Sequence, residues 1–182
     1  EGLYTKEVNM AQTTFQGPVK SINGFIGAGV GNVVSLTADT TLTVADHAGR
    51  ILTCNDADGK FTLPTIIATA DANGTGPGND INNTNNLGAT FTFVVETAAT
   101  DMDVLTDGTD KFVGGAYVGI DDSAAGKTFI SAASNDVMTL NGSTKGGLVG
   151  SVIKCTAMAD NKYHVEAQLL GSGTLVTPFA DA

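Results

Sequence analysis

A chain of 182 residues and 18.4 kDa fits one domain, or one domain with an arm, and is long enough to bury a core. It carries 19 acidic and 9 basic residues, a net charge of −10, which disfavours nucleic acid and anionic membranes as direct partners because binding phosphates requires clustered Lys and Arg. With 42% apolar and only 15% charged residues, wholesale disorder is excluded.

Of the acids, 15 are Asp and 4 are Glu, alongside 23 Gly, 25 Thr and 13 Asn. Asp suits turns and Glu suits helices. The composition therefore predicts an all-β fold with many tight turns and argues against a helical bundle.

The first nine residues lack the basic end and apolar run of a signal peptide. Met10 reads as a second natural start, and residues 1–9 as a leader or a processed remnant. Residues 1–32 show no sustained periodicity. Gly17-Pro18, Asn23-Gly24 and Gly27-Ala28-Gly29-Val30-Gly31 punctuate isolated apolar residues. The segment is expected to be an extended N-terminal arm, with Phe15, Val19, Ile22, Phe25 and Ile26 as apolar anchors that dock it on another surface. From residue 33 to 182 the chain reads as the β domain.

Thr41-Leu42-Thr43-Val44 predicts a strand with Leu42 and Val44 on one face. Phe61-Thr62-Leu63 predicts another, stopped by Pro64, which cannot donate to a ladder. Thr90 to Glu96 is the clearest strand, with Phe91, Phe93 and Val95 inward. Segments 111–113, 117–120, 128–130 and 137–140 follow, then 148–156 and 163–170. In the last, Val165, Ala167 and Leu169 alternate with His164, Glu166 and Gln168. Asp58-Gly59, Asp107-Gly108, Asn141-Gly142 and Asn161-Lys162 mark turns. Short helical pieces are expected only near 66–72 or 98–102. The spacing predicts a β-sandwich, jelly-roll-like or barrel-like domain. Residues 71–87, polar and low in complexity, read as an exposed loop.

No motif carries chemistry. Gly27–Gly31 is not the dinucleotide pattern and opens no helix. Gly126-Lys127-Thr128 resembles the end of a phosphate loop, but Asp121 stands where the first glycine belongs. Asn55 to Gly59 misses the first and twelfth ligands of a calcium loop. Asp101, Asp103, Asp107 and Asp110 form a second acidic run, and oxygen-rich β loops can hold Ca²⁺ without a motif, so structural calcium stays open. His47 reads as a turn residue and His164 as a polar-face residue, with no Gly-x-Ser-x-Gly elbow beside them. Glu96 and Glu166 are the only pair of glutamates for sugar hydrolysis. Cys54 and Cys155 read as buried strand thiols, with a disulfide as the alternative. No catalytic residue, metal set or cofactor is expected.

Several segments together resemble a family: Thr41-Leu42-Thr43, His47-Ala48-Gly49-Arg50, Phe61-Thr62-Leu63-Pro64, Phe91-Thr92-Phe93-Val94-Val95, Gly146-Gly147-Leu148-Val149-Gly150 and Thr177-Pro178-Phe179. Thr14 to Phe25 adds to the pattern. It is similar to small virion structural proteins of tailed bacteriophages, especially marine cyanophage-type podoviruses, some of which are head decoration (cement) proteins. The resemblance implies a non-enzymatic β-rich subunit, commonly a homotrimer, bound to the major capsid protein on the virion exterior. It implies no nucleic acid, membrane or small-molecule substrate. The alternative is a phage tail or fibre β module that binds host-surface glycans. Such a module needs exposed aromatic platforms, and three Tyr with no Trp weigh against it. A hydrolase fragment, the third reading, lacks a credible site.

Overall fold

A computed structural model describes residues 33–68, 85–120 and 125–182. In chain order the strands are β1 (Val33–Leu36), β2 (Thr40–Thr41), β3 (Ile51–Cys54), β4 (Lys60–Thr62), β5 (Thr90–Val95), β6 (Met102–Leu105), β7 (Lys111–Ile120), β8 (Lys127–Ile130), β9 (Val137–Leu140), β10 (Val152–Ala159), β11 (Lys162–Gly171) and β12 (Phe179–Ala180). One helical turn, α1 (Val44–His47), lies between β2 and β3. The protein is all-β.

The strands form a seven-stranded sheet, ordered β1-β3-β5-β10-β11-β7-β8, and a five-stranded sheet, ordered β12-β9-β6-β4-β2. Neither closes on itself among the described residues. Through β6 the chain crosses from one sheet to the other at every strand, and each strand pairs in parallel with the one two before it. Three flattened coils result. Beyond them, β7 lies parallel to β11 over ten residues, Lys162 opposite Lys111 through Gly171 opposite Ile120. The ladders of β5 with β10, β10 with β11, β7 with β8, β6 with β9 and β9 with β12 are antiparallel.

Period-2 alternation turns one side of each strand into a single core. Leu52, Cys54, Phe91, Phe93, Val95, Phe112, Val118, Ile153, Cys155, Val165 and Leu169 face inward from the larger sheet. Phe61, Met102, Val104, Met138, Leu140 and Phe179 meet them from the smaller one. Phe61 stacks on Phe93 across the interface, with ring centroids 6.2 Å apart. Tyr163 fills the core with its ring while its hydroxyl donates to the Pro64 carbonyl at 2.6 Å. The C-terminus is tied down at Asp136, whose carboxylate takes the Ala182 amide at 2.8 Å and Lys111 Nζ at 2.6 Å. Burial raises the Asp136 pKa, but these two donors outweigh it and the carboxyl titrates below its ordinary range.

Several expectations meet the structure directly. Phe91, Phe93 and Val95 point inward, as do Val165, Ala167 and Leu169. The strand at Phe61 ends before Pro64. Two sheets facing across one core are the sandwich form of the predicted fold, while the parallel coils were not announced by the turn signals.

Other segments differ. Of the predicted strand 41–44 only Thr41 lies in β2; Leu42 is buried just beyond it, and Val44 is exposed because the Thr43 hydroxyl accepts from the Asp46 amide at 3.1 Å and caps a helical turn. Segments 111–113 and 117–120 are one strand, since Gly114 and Gly115 carry the ladder through where side chains would collide. Gly114 has φ +145°, and a Cβ there would run into the Val165 carbonyl. Leu148–Ser151 form a turn before β10 and not its first residues. Met102–Leu105 is a strand that acidic neighbours concealed, so no helix occupies 98–102, nor Ile66–Ala68.

Phe93→Ala is expected to lower unfolding free energy by about 3–5 kcal/mol with the β-sheet circular dichroism retained, measured by urea titration. Phe129, only partly buried at the rim of the core, should cost clearly less when truncated.

Candidate functional site

The seven-stranded sheet buries one face, and no described element covers the other. Pairing registers set outward side chains in rows across all seven strands. One row runs Val33, Ile51, Thr92, Lys154, Glu166, Gly115, Ile130; the next runs Ser35, Thr53, Val94, Val152, Gln168, Tyr117, Thr128. Lys154 and Glu166 sit 3.6 Å apart with both side chains well exposed, a pair worth little in water but one that neutralises the middle of the face. Thr90 and Thr156 share a hydroxyl contact of 3.1 Å. A shallow groove of about 540 Å³ crosses this face, lined by Tyr117, Val152, Lys154, His164, Glu166 and Gln168 among others. Tyr117, 50% exposed, is the only exposed aromatic side chain among the described residues.

The residues able to do chemistry are scattered. His47 ends α1, where its Nδ1 accepts from the Thr43 amide at 3.0 Å, so it serves a cap. His164 stands on the outer sheet face beside Thr156 and Val113. Glu96 lies in the bend after β5, not on a strand face, and accepts from Asn55 Nδ2 at 2.8 Å. Glu166 is on β11, salt-paired as above. Lys127 and Thr128 open strand β8, and no helix starts there to hold phosphate.

Cys54 and Cys155 are both free and buried. Cys54 lies beside Val95 and Cys155 beside Phe91, four residues apart along β5, hence separated by about 13 Å along the strand direction alone. Disulfide geometry needs Cα atoms within about 7 Å. Burial pushes the Cys54 thiol up to about 12 and that of Cys155 up as well, so neither is a nucleophile at neutral pH.

The four aspartates that follow one another in sequence fall into two places, with Asp103 on β6 opposite Lys60. Asp101 joins Asp39, Asp56, Asp58 and Lys60 around a shallow depression at the corner between coils. Desolvation first, then the neighbouring Asp58 carboxylate, raises the pKa of Asp56 there. Asp107 and Asp110 shape the loop between β6 and β7. Burial works against ionisation of Asp107, but the amides of Asp110 and Thr109 donate to its carboxylate at 3.0 and 2.9 Å and hold its pKa low. Asp110 is fully buried. Its Oδ2 accepts from the Ile66 amide at 2.8 Å, while Oδ1 has no hydrogen-bond partner. Burial lifts its pKa, with Asp107 and Asp160 adding to the rise against the Ile66 amide. No group of three His, Cys, Asp or Glu side chains among the described residues could hold a metal ion.

The anchors Phe15, Val19, Ile22, Phe25 and Ile26, and with them the arm of residues 1–32, lie outside the described residues, as does most of the polar segment 71–87. Where that segment returns, Asn86 is buried. Its side chain accepts from the Ile67 amide and donates to the Thr65 carbonyl, both at 2.8 Å, clamping the chain on either side. The outward rows escaped sequence reading because alternation reveals which residues face out but not which strands are neighbours. Comparison with protein-family models, with curated proteins and with solved structures gave no match.

Two outcomes follow. Because Asp110's folded pKa is raised, its contribution to stability is full below the unfolded value near ~3.9 and is lost as pH rises through the folded value. Asp110→Asn should therefore have a higher urea midpoint than the wild type at pH 7, with the gap closing toward pH 4. Neither thiol should react with a thiol-specific dye in the native protein, and both should react in urea.

Proposed function

We propose that the chain is a non-enzymatic virion structural protein, a head decoration (cement) subunit that binds the major capsid protein on the outside of a phage shell as a homotrimer. The observation that carries this reading is the seven-stranded face that no described residue covers, broad, neutral at its centre and made of Thr, Val and Gln around the Lys154–Glu166 pair. Such a face offers contact area and hydrogen bonding without a reaction centre. The resemblance in sequence supports the same reading, and the net charge of −10 suits a particle exterior that must stay dispersed. A protein that binds the assembled lattice and not the separated subunits stabilises the shell by mass action. In this reading the arm anchors Phe15, Val19, Ile22, Phe25 and Ile26 lie along a neighbouring subunit and add to the area.

The test is co-sedimentation with undecorated shells and the temperature at which those shells release their contents. Saturable binding and a raised release temperature are expected. Gln168→Arg together with Thr92→Arg should weaken binding about tenfold or more, roughly 1.4 kcal/mol or above, while leaving the melting temperature of the free protein unchanged. Shells that neither bind the protein nor gain stability overturn the reading. Tyr117 in its groove favours the second reading, a tail or fibre module for host-surface glycans; it requires glycan binding that Tyr117→Ala abolishes.

A further inference from the structure

The two sheets end differently. The smaller sheet has blunt edges: β2 and β12 are two residues each, and Pro178 precedes β12. Such edges offer almost nothing to pair with. The larger sheet ends in β1, Val-Val-Ser-Leu, and β8, Lys-Thr-Phe-Ile, four residues each, with no proline and one charge between them. Val33 is 55% exposed and Ile130 80% exposed, the latter the most exposed large apolar side chain described. Edges of this kind are ordinarily protected by charge, proline or a bulge.

We infer that these two edges are partners, and that the larger sheet continues into a second copy of the same chain, with β8 of one copy beside β1 of the next. Three independent features of the ladder agree on this pairing. Direction is the first. Following the sheet order, β1, β3, β5, β11 and β7 run one way and β10 and β8 the other, so β8 meets β1 of the next copy antiparallel.

Hydrogen-bonding capacity is the second. The Asn55 amide donates to the Leu36 carbonyl at 2.8 Å, so Leu36 and Val34 turn toward β3 and leave the amides and carbonyls of Val33 and Ser35 at the open edge. On the other side the Ser131 amide donates to the Gly114 carbonyl at 3.1 Å, which leaves those of Thr128 and Ile130 pointing away from β7. Setting Ile130 opposite Val33 and Thr128 opposite Ser35 pairs groups that have no partner strand among the described residues.

Side-chain facing is the third. All four of those residues lie on the outer face, so the same register extends both outward rows. Ile130 reaches Val33 and Ile51 of the next copy, the latter 45% exposed, and Thr128 reaches Ser35. The contact joins unlike edges, so it is head to tail and repeats until a ring closes. It concerns how copies meet and not what they bind. Shell binding by a monomer would defeat it, and with it the trimer of the proposed function, but would leave capsid decoration itself standing.

The test uses the full chain with single cysteines at the two edges, Val33→Cys and Ile130→Cys, oxidised with copper phenanthroline. The native thiols are buried, and the two edges of one chain are roughly 29 Å apart across six strand spacings, so any new crosslink joins two molecules. The mixture of the two variants should give a covalent dimer while each alone stays uncrosslinked. The double variant should give a ladder that stops at the ring size seen by sedimentation. Thr128→Pro, which removes an amide facing the open edge and leaves the β7 ladder intact, should weaken self-association about tenfold without lowering the melting temperature. Crosslinking of either single variant with itself overturns the inference in favour of like-edge pairing. Absence of a crosslink in the mixture overturns it in favour of another occupant of β1, including residues 1–32 of the same chain.

Discussion

The stacking of Phe61 on Phe93 is the contact around which the rest is arranged, because it joins the second coil in one sheet to the third coil in the other. A parallel two-sheet coil has no tight hairpin to fix it. Every crossing must be held by what the two inner faces bury together. Ring against ring at this point, with Leu52, Met102 and Val104 fully buried in the same core, sets the separation of the sheets. The neighbouring strands can then add on either side, and the outward faces are what remains.

Much of the strand content was legible because period-2 alternation is a local signal. Phe91-Thr92-Phe93-Val94-Val95 and Val165 to Leu169 announce their inward sides without help from the rest of the chain. The coil topology was not legible. Its corners lengthen from one coil to the next: Leu36 to Thr40, then Cys54 to Phe61, then Val95 to Val104. The return from the second coil to the third spans far more chain than that from the first to the second. No fixed period survives such unequal connections, so the sequence shows no repeat. Met102–Leu105 was hidden for a different reason. Its flanking aspartates look like turn residues, while two of its four side chains, Met102 and Val104, are fully buried.

The candidate surface was still less visible. His164, Glu166 and Gln168 could be assigned to the polar side of one strand, but their neighbours Val113, Gly115 and Tyr117 come from a strand some fifty residues earlier in the chain. Register, not composition, builds the rows. The same holds for the aspartates, which look like one cluster in sequence and form two separate groups in space. One shields the corner between coils; the other uses a buried carboxylate to hold the Ile66 amide, at the electrostatic cost of an oxygen without a partner. Neither group resembles a reaction centre, and the histidines and cysteines are each absorbed by a cap, a sheet face or the core.

The position of β11 has a consequence for how the molecule comes to be made. It is the second-last of the described strands, yet it lies between β10 and β7, with ten residues matched to β7 in parallel. Until residues 162–171 have emerged from the ribosome, the larger sheet exists only as two unconnected parts, β1-β3-β5-β10 and β7-β8. Each part then has an inner edge that only β11 can satisfy. The larger sheet therefore cannot close before that segment is available, and the pairing it awaits is a long-range one, which forms slowly. A nascent chain in that interval has two additional strand edges through which it can be captured by a neighbour or a chaperone.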